Sequence, residues 1–230
     1  MSSKLPIDAH PSVVIAYEPV SEKLMFVAYD EGYPKVAYRL SVNLIGGNPE
    51  ATDSIPETVL IKEVSEEFDP NHPEEKKKVG KVLWAPSEDI RIIRNTLLSN
   101  IKPYQDFYTV IGEITGGNKP HTAIFSTFQT IIDDKTVYLA ERSMEDRTHV
   151  TTEGLLRVHT LEQLAKSERG EFATAHITAP ILNHRFGCHL SFPSVVRVEA
   201  MGLPRRTYES YRTDFEYNNE KMTKSARAEN

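Results

Sequence analysis

A pair of glycines, Gly46-Gly47, followed by a loop and then a carboxylate-rich amphipathic segment, constrains this chain more than anything else in it. Leu60, Val64 and Phe68 recur every fourth residue, which gives one buried helical stripe. Ser54 and Glu57 form the S-x-x-E pattern of a capping box, and Pro56 suits a first helical turn. Pro70 and Pro73 close the segment, so a helix is expected over Pro56–Phe68. Glu63, Glu66 and Glu67 stand beside the stripe, three and four positions apart. At about 100° per residue they share an arc of roughly 100° on one rigid element. Like charges at this spacing cost about 0.3 kcal/mol per pair. A bound Mg²⁺ or Mn²⁺ would turn that repulsion into attraction, because hard cations prefer carboxylate oxygens. Three glutamates alone fit a plain solvated face better than a metal site, because glutamate-rich helix faces are common and the repulsion is too small to demand a ligand. The glycines upstream and the strand–loop–helix order set this helix apart.

The rest of the chain alternates strands and helices. Ser12–Tyr17 and Lys23–Tyr29 read as a hairpin around the polar turn Glu18–Glu22, and Val36–Ile45 as a third strand ending at the glycines. Asp69–Lys78 reads as a solvated loop, Val79–Trp84 as a short strand, and Ser87–Ile101 as a helix burying Ile90, Ile93 and Leu97. Tyr108–Ile114, His121–Ile132 and Thr136–Ala140 read as strands, with turns at Gly116-Gly117-Asn118 and Asp133-Asp134-Lys135. Leu155–Val158 reads as a last strand, and Thr160 with Gln163 as a capping box opening a helix through Ser167. Glu171–Phe186 has helical composition, with Pro180 at a kink or break. The expected class is α+β, or a layered α/β/α sandwich. A single domain is expected over 1–204, with an insertion around 69–106, then a polar extension over 205–230 with a mobile end.

The net charge of -6 and a pI near 5.8 lack the basic stripe that duplex nucleic-acid binding needs. One cysteine, Cys188, excludes a disulfide within the chain and fits a reducing compartment. No apolar run reaches the roughly 18 residues needed to span a bilayer, and Met1–His10 lacks the regions of a signal peptide. The expected setting is cytoplasmic, away from membranes.

The segment from Gly47 to Asp69 resembles the Nudix box, G-x5-E-x7-R-E-U-x-E-E-x-G-U, with U aliphatic. Gly47 matches the opening glycine, and Glu63, Val64, Glu66 and Glu67 match the core E-U-x-E-E. Asp53 takes the place of the first glutamate, eight residues instead of seven separate it from Lys62, Lys62 replaces the arginine, and Asp69 replaces the late glycine. Glu153–Leu164 looks like the family's final strand and helix. The resemblance implies an α/β/α sandwich of the Nudix type around a mixed, largely antiparallel sheet. It implies a hydrolase that cleaves the pyrophosphate link of a nucleoside diphosphate derivative with Mg²⁺ or Mn²⁺. Glu63, Glu66, Glu67 and the Gly46 carbonyl would ligate the metal, and Lys62 would orient Glu63. The general base would be Glu63 or a carboxylate on a later loop, Glu153 or Glu145. The partner would be a nucleoside diphosphate-linked small molecule, and domains of this type often form homodimers. Lysine cannot copy the fork-shaped contact of arginine. The alternative is therefore a Nudix-fold nucleotide-binding or protein-interaction module with little or no catalysis, and a third reading is a regulatory protein that binds no metal.

Other signals are weaker. No G-x-x-x-x-G-K-[ST], G-x-S-x-G or H-E-x-x-H occurs. His184, Cys188 and His189 fit no strong zinc spacing, and Cys188 reads better as a buried small hydrophobe. Phe107, Tyr108 and Trp84 could stack on a base, but core packing is the simpler account. Glu50 could approach a metal, and Arg39 a phosphate, or both could be plain surface residues.

Overall fold

A computed structural model of the chain describes residues 10–28, 41–49, 55–71, 82–111, 121–166, 177–191 and 196–200. The strands are β1 (Ser12–Glu18), β2 (Lys23–Ala28), β3 (Val42–Asn43), β4 (Ile45–Gly47), β5 (Lys102–Ile111), β6 (His121–Ile131), β7 (Leu155–Thr160) and β8 (Val196–Ala200). The helices are α1 (Pro56–Glu67), α2 (Ser87–Ser99), α3 (Asp134–Glu145), α4 (Leu161–Lys166) and α5 (Thr178–Phe186).

All eight strands join one sheet. Its framework is the β1–β2 hairpin, paired from Ala16↔Met25 to Glu18↔Lys23. Beyond Ala16 and Met25 the two arms part, and the segment 42–47 enters the gap. β3 pairs with Val27 and Ala28, while β4 pairs with Ser12, Val13 and Val14. β7 flanks the other edge of β2, and β6, β5 and β8 follow on the far side of β1. Among the described strand pairings of this sheet β1 with β6 is parallel and the others are antiparallel. The sheet is therefore mixed and largely antiparallel, as expected.

Side-chain alternation along each strand feeds two cores. Val14, Ala16, Met25, Val27 and Ile45 face α1, α2 and α3, packing with Leu60, Val64, Phe68, Ile90, Ile93, Leu97, Val137 and Ala140. Val13, Ile15, Leu24, Phe26 and Leu44 face the opposite layer, where Leu164 of α4 and Ile181 and Leu182 of α5 close on them. The result is a three-layer α/β/α sandwich. Among the described residues no helix is long and apolar enough to cross a membrane.

Several expectations change. The N-cap of α1 is Ile55, with extended backbone and no side-chain cap, while Ser54 of the expected capping box lies outside the described residues. Pro56 holds its predecessor extended and fixes the first helical position. Thr136–Ala140 is helix instead of strand. Asp133, read as part of a turn, is the N-cap of α3, and its side chain accepts from Thr136 N at 2.8 Å. Val137, Ala140 and Met144 then recur at helical spacing on the α1-facing core. Pro180 neither kinks nor splits its helix: α5 starts at Thr178, so the proline occupies a first turn, where a missing N–H costs nothing. β5 starts at Lys102, well before Tyr108, with an irregularity between Pro103 and Gln105. Trp84 forms only an isolated parallel bridge to His149. The Thr160–Gln163 capping box is present in full: Thr160 N donates to Gln163 Oε1 at 2.8 Å and Gln163 N to Thr160 Oγ1 at 3.2 Å. Residues 29–40, 72–81, 112–120, 167–176 and 201–230 lie outside the described residues, and with them the expectations made for Arg39 and the C-terminal extension.

The Asp133 cap gives a stability prediction. Hydrogen bonds to Thr136 hold the Asp133 carboxyl below its ordinary range. Its contribution is thus present at neutral pH and is lost as pH falls through the lowered native value. Asp133→Ala should cost about 1 kcal/mol at pH 7. In urea titrations the difference from wild type should shrink below about pH 4, the unfolded carboxylate range.

Candidate active site

The glycines end β4. Gly46 has φ +137°, a backbone region that side chains disfavour, and a Cβ there would lie 2.1 Å from the Ser12 carbonyl oxygen. Glycine is what lets this strand press so closely on β1. At Gly47 the neighbour is different: a Cβ would lie 2.1 Å from Oε2 of Glu63. The Glu63 carboxylate therefore rests directly on the glycine strand, in the space that the missing side chain leaves.

α1 delivers Glu63 there because its apolar stripe is fully engaged. Leu60, Val64 and Phe68 are buried, which fixes the rotation of the helix. Lys62, Glu63 and Glu66 are half-buried, and Glu67 is buried at 6% exposure. The end of α1 is tied to the turn before β7, where Thr152 N donates to the Glu67 carbonyl at 2.9 Å. Thr151 Oγ1 donates to the Gly154 carbonyl at 3.0 Å, and a Cβ on Gly154 would meet the Ala28 carbonyl oxygen at 2.1 Å. Glu153, half-buried, sits inside this turn, at the C-terminal end of α1. Glu145 is exposed at the end of α3.

The fold thus brings Glu63 into direct contact with Gly47, with Glu66 and Glu67 on the same helix and Glu153 in the turn that grips its end. Among the described residues no three His, Cys, Asp or Glu side chains converge as a metal cluster. The donors present are all oxygens, the chemistry that Mg²⁺ and Mn²⁺ accept. Positions three and four apart on a helix have Cβ atoms about 5–6 Å apart, so Glu66 and Glu67 are the helical neighbours of Glu63. Glu50 and Asp53 lie outside the described residues.

A polar row crosses the sheet beside Gly47. Gly47 pairs with Ser12, Ser12 with Ser126, and Ser126 with Asp106. By strand alternation all of them share the α1-facing side, and Ser12, Ser126 and Asp106 are buried. Their spacing in sequence gives no hint of this, because three separate strand pairings bring them together. The turn Thr151–Gly154 carried a local signal, two threonines before a glycine. Phe107 and Tyr108 are buried in the core, so they offer no stacking surface. The Cys188 thiol donates to Asn183 Oδ1 at 3.3 Å, and burial raises its pKa.

No family model matches this sequence, and no curated protein matches it either. Among solved structures the chain is similar to the mutator MutT protein from Bacillus halodurans, at 13% identity over 83% of this chain and 97% of that one, with a TM-score of 0.40. It is also similar to the E. coli dihydroneopterin triphosphate pyrophosphohydrolase, at 10% identity over 56% of this chain and 71% of that one, with a TM-score of 0.27.

The two glycines should respond differently to one added methyl. Gly46→Ala meets fixed backbone at a positive φ and should cost at least about 2 kcal/mol of stability. Gly47→Ala meets only the end of a flexible carboxylate, so stability should change by less than about 1 kcal/mol while Glu63 is displaced. Denaturant unfolding of both variants checks the ordering. Equal losses would mean that Gly47 is held as tightly as Gly46.

Proposed function

We propose that this chain is a metal-dependent hydrolase cleaving the pyrophosphate link of a nucleoside diphosphate derivative. The observation that carries the reading is the seating of Glu63 on Gly47, which joins the two halves of the box-like motif in space. In this reading Glu63, Glu66, Glu67 and the Gly46 carbonyl hold Mg²⁺ or Mn²⁺. Such an ion polarises phosphoryl oxygens and lowers the pKa of bound water. Lys62 orients Glu63. It does so as a point charge, since it has no planar fork. Glu153 is the proton acceptor of choice because the Thr152–Glu67 hydrogen bond fixes its turn to α1, whereas Glu145 is exposed on another helix. The substrate is a small molecule linked through a nucleoside diphosphate.

Phosphate release should be measured on nucleoside triphosphates, dinucleotides, ADP-ribose and nucleotide sugars, with Mg²⁺, with Mn²⁺ and with chelator. Release should need metal and should vanish in the Glu66→Gln, Glu67→Gln double variant. Glu153→Gln should lower kcat by about 10²-fold or more without weakening metal binding, and Glu145→Gln should leave kcat unchanged. Nucleotide binding with metal but no turnover of any compound would replace the hydrolase with a binding module.

A further inference from the structure

On the sheet face opposite α1, where β5 begins, basic side chains gather around one tyrosine. The last turn of α5 carries His184 and Arg185. Arg185 Nε donates to Gln129 Oε1 at 3.1 Å. Its guanidinium carbon lies 5.4 Å from the ring centroid of Tyr104 and 5.1 Å from that of Phe186. Tyr17 packs against Phe186 at 5.1 Å. One hydrogen bond and two rings thus hold the half-buried guanidinium, and among the described residues no carboxylate pairs with it. The Tyr104 hydroxyl lies 2.8 Å from His184 Nδ1, and the Phe107 ring meets the imidazole edge-on at 5.2 Å. With Nδ1 engaged, Nε2 is the nitrogen that the exposed His184 offers a ligand. Lys102 is the register partner of Gln129, which places it, exposed, on the same face.

A helix C-terminus attracts cations, and that accounts for charge in the last turn of α5. It does not account for a guanidinium tethered through Nε, held against two rings and with no carboxylate partner among the described residues, in a chain of net charge -6. Holding the side chain this way removes its rotamer freedom in advance, which is the cost a ligand would otherwise meet. The terminal nitrogens form a planar fork that matches an oxyanion bidentately. Arg185 and Lys102, with an imidazole beside them, suit a dianion better than a single carboxylate.

We propose that Arg185, with Lys102 and His184 around Tyr104, forms a binding site for a phosphate group, separate from the carboxylate helix on the other face. The inference does not depend on the hydrolase reading. The test is calorimetric titration of the full chain, kept in chelator, with inorganic phosphate and with a nucleoside monophosphate. Saturable binding is expected, weakened at least about tenfold by Arg185→Gln and unchanged by the Glu66→Gln, Glu67→Gln double variant. Arg185→Lys keeps the charge without the fork and should also weaken binding. Lys102→Gln, at an exposed position, should weaken it about threefold by loss of one charge. Tighter binding of the monophosphate would identify a phosphomonoester as the ligand, and equal binding would identify free phosphate. No saturable binding by the folded wild type, binding lost in the glutamate double variant, or binding that Arg185→Gln and Lys102→Gln both retain in full would overturn the proposal.

Discussion

The contact of Gly46 with the Ser12 carbonyl is the constraint on which the arrangement rests. Because no side chain intervenes, the segment 42–47 can occupy the gap between the parting arms of the β1–β2 hairpin. That one insertion has consequences on both faces of the sheet. Ile45 enters the core beneath α1, and Leu44 enters the opposite core. Leu44 N donates to Thr178 Oγ1 at 3.3 Å, which ties the start of α5 to the same strand. Gly47 follows as the surface on which Glu63 rests.

The helices around α1 reinforce its placement from several sides. The side chains of Asp89 on α2 and Arg142 on α3 form an ion pair. Ala85 N donates to the His149 carbonyl at 2.9 Å, and His149 N to the Leu83 carbonyl at 2.8 Å, so the entry to α2 and the segment after α3 run side by side. The same segment then reaches Thr152 and grips the end of α1. Burial of Val64 and Phe68 supplies the energy, and these backbone bonds supply the register. Exposed pairs such as Arg91 with Glu88 add little, because solvent screens them.

Charge is divided between the two faces. The α1 face carries glutamates next to a glycine strand, and the α5 face carries an arginine steadied by rings. In the sheet between them lie the buried hydroxyls of Ser12, Thr127 and Thr130, none with a hydrogen bond among the described residues. Buried polar atoms of this kind cost stability when nothing satisfies them, and they mark where the sheet is least like an apolar core.

Much of the α1 side was legible from the sequence. The period of Leu60, Val64 and Phe68 determined that a helix forms and which stripe it buries, and Pro56 determined where it starts. The Thr160–Gln163 pair determined the cap of α4, because a reciprocal cap depends only on residues three apart. Thr136–Ala140 misled because β-branched residues over a short window fit either state, and only the Asp133 cap and the core below α3 decide for helix. Gly46 and Gly47 could be marked as a turn or close approach, but their different neighbours, a rigid carbonyl and a mobile carboxylate, come from strands and a helix far apart in the chain. The row from Gly47 through Ser12 and Ser126 to Asp106, the grip of Thr152 on Glu67, and the stacking of Arg185 with Tyr104 were decided by tertiary structure alone. Local sequence sets backbone propensity and face. Which faces meet depends on register between distant strands, and register follows from burying both sides of one sheet at once.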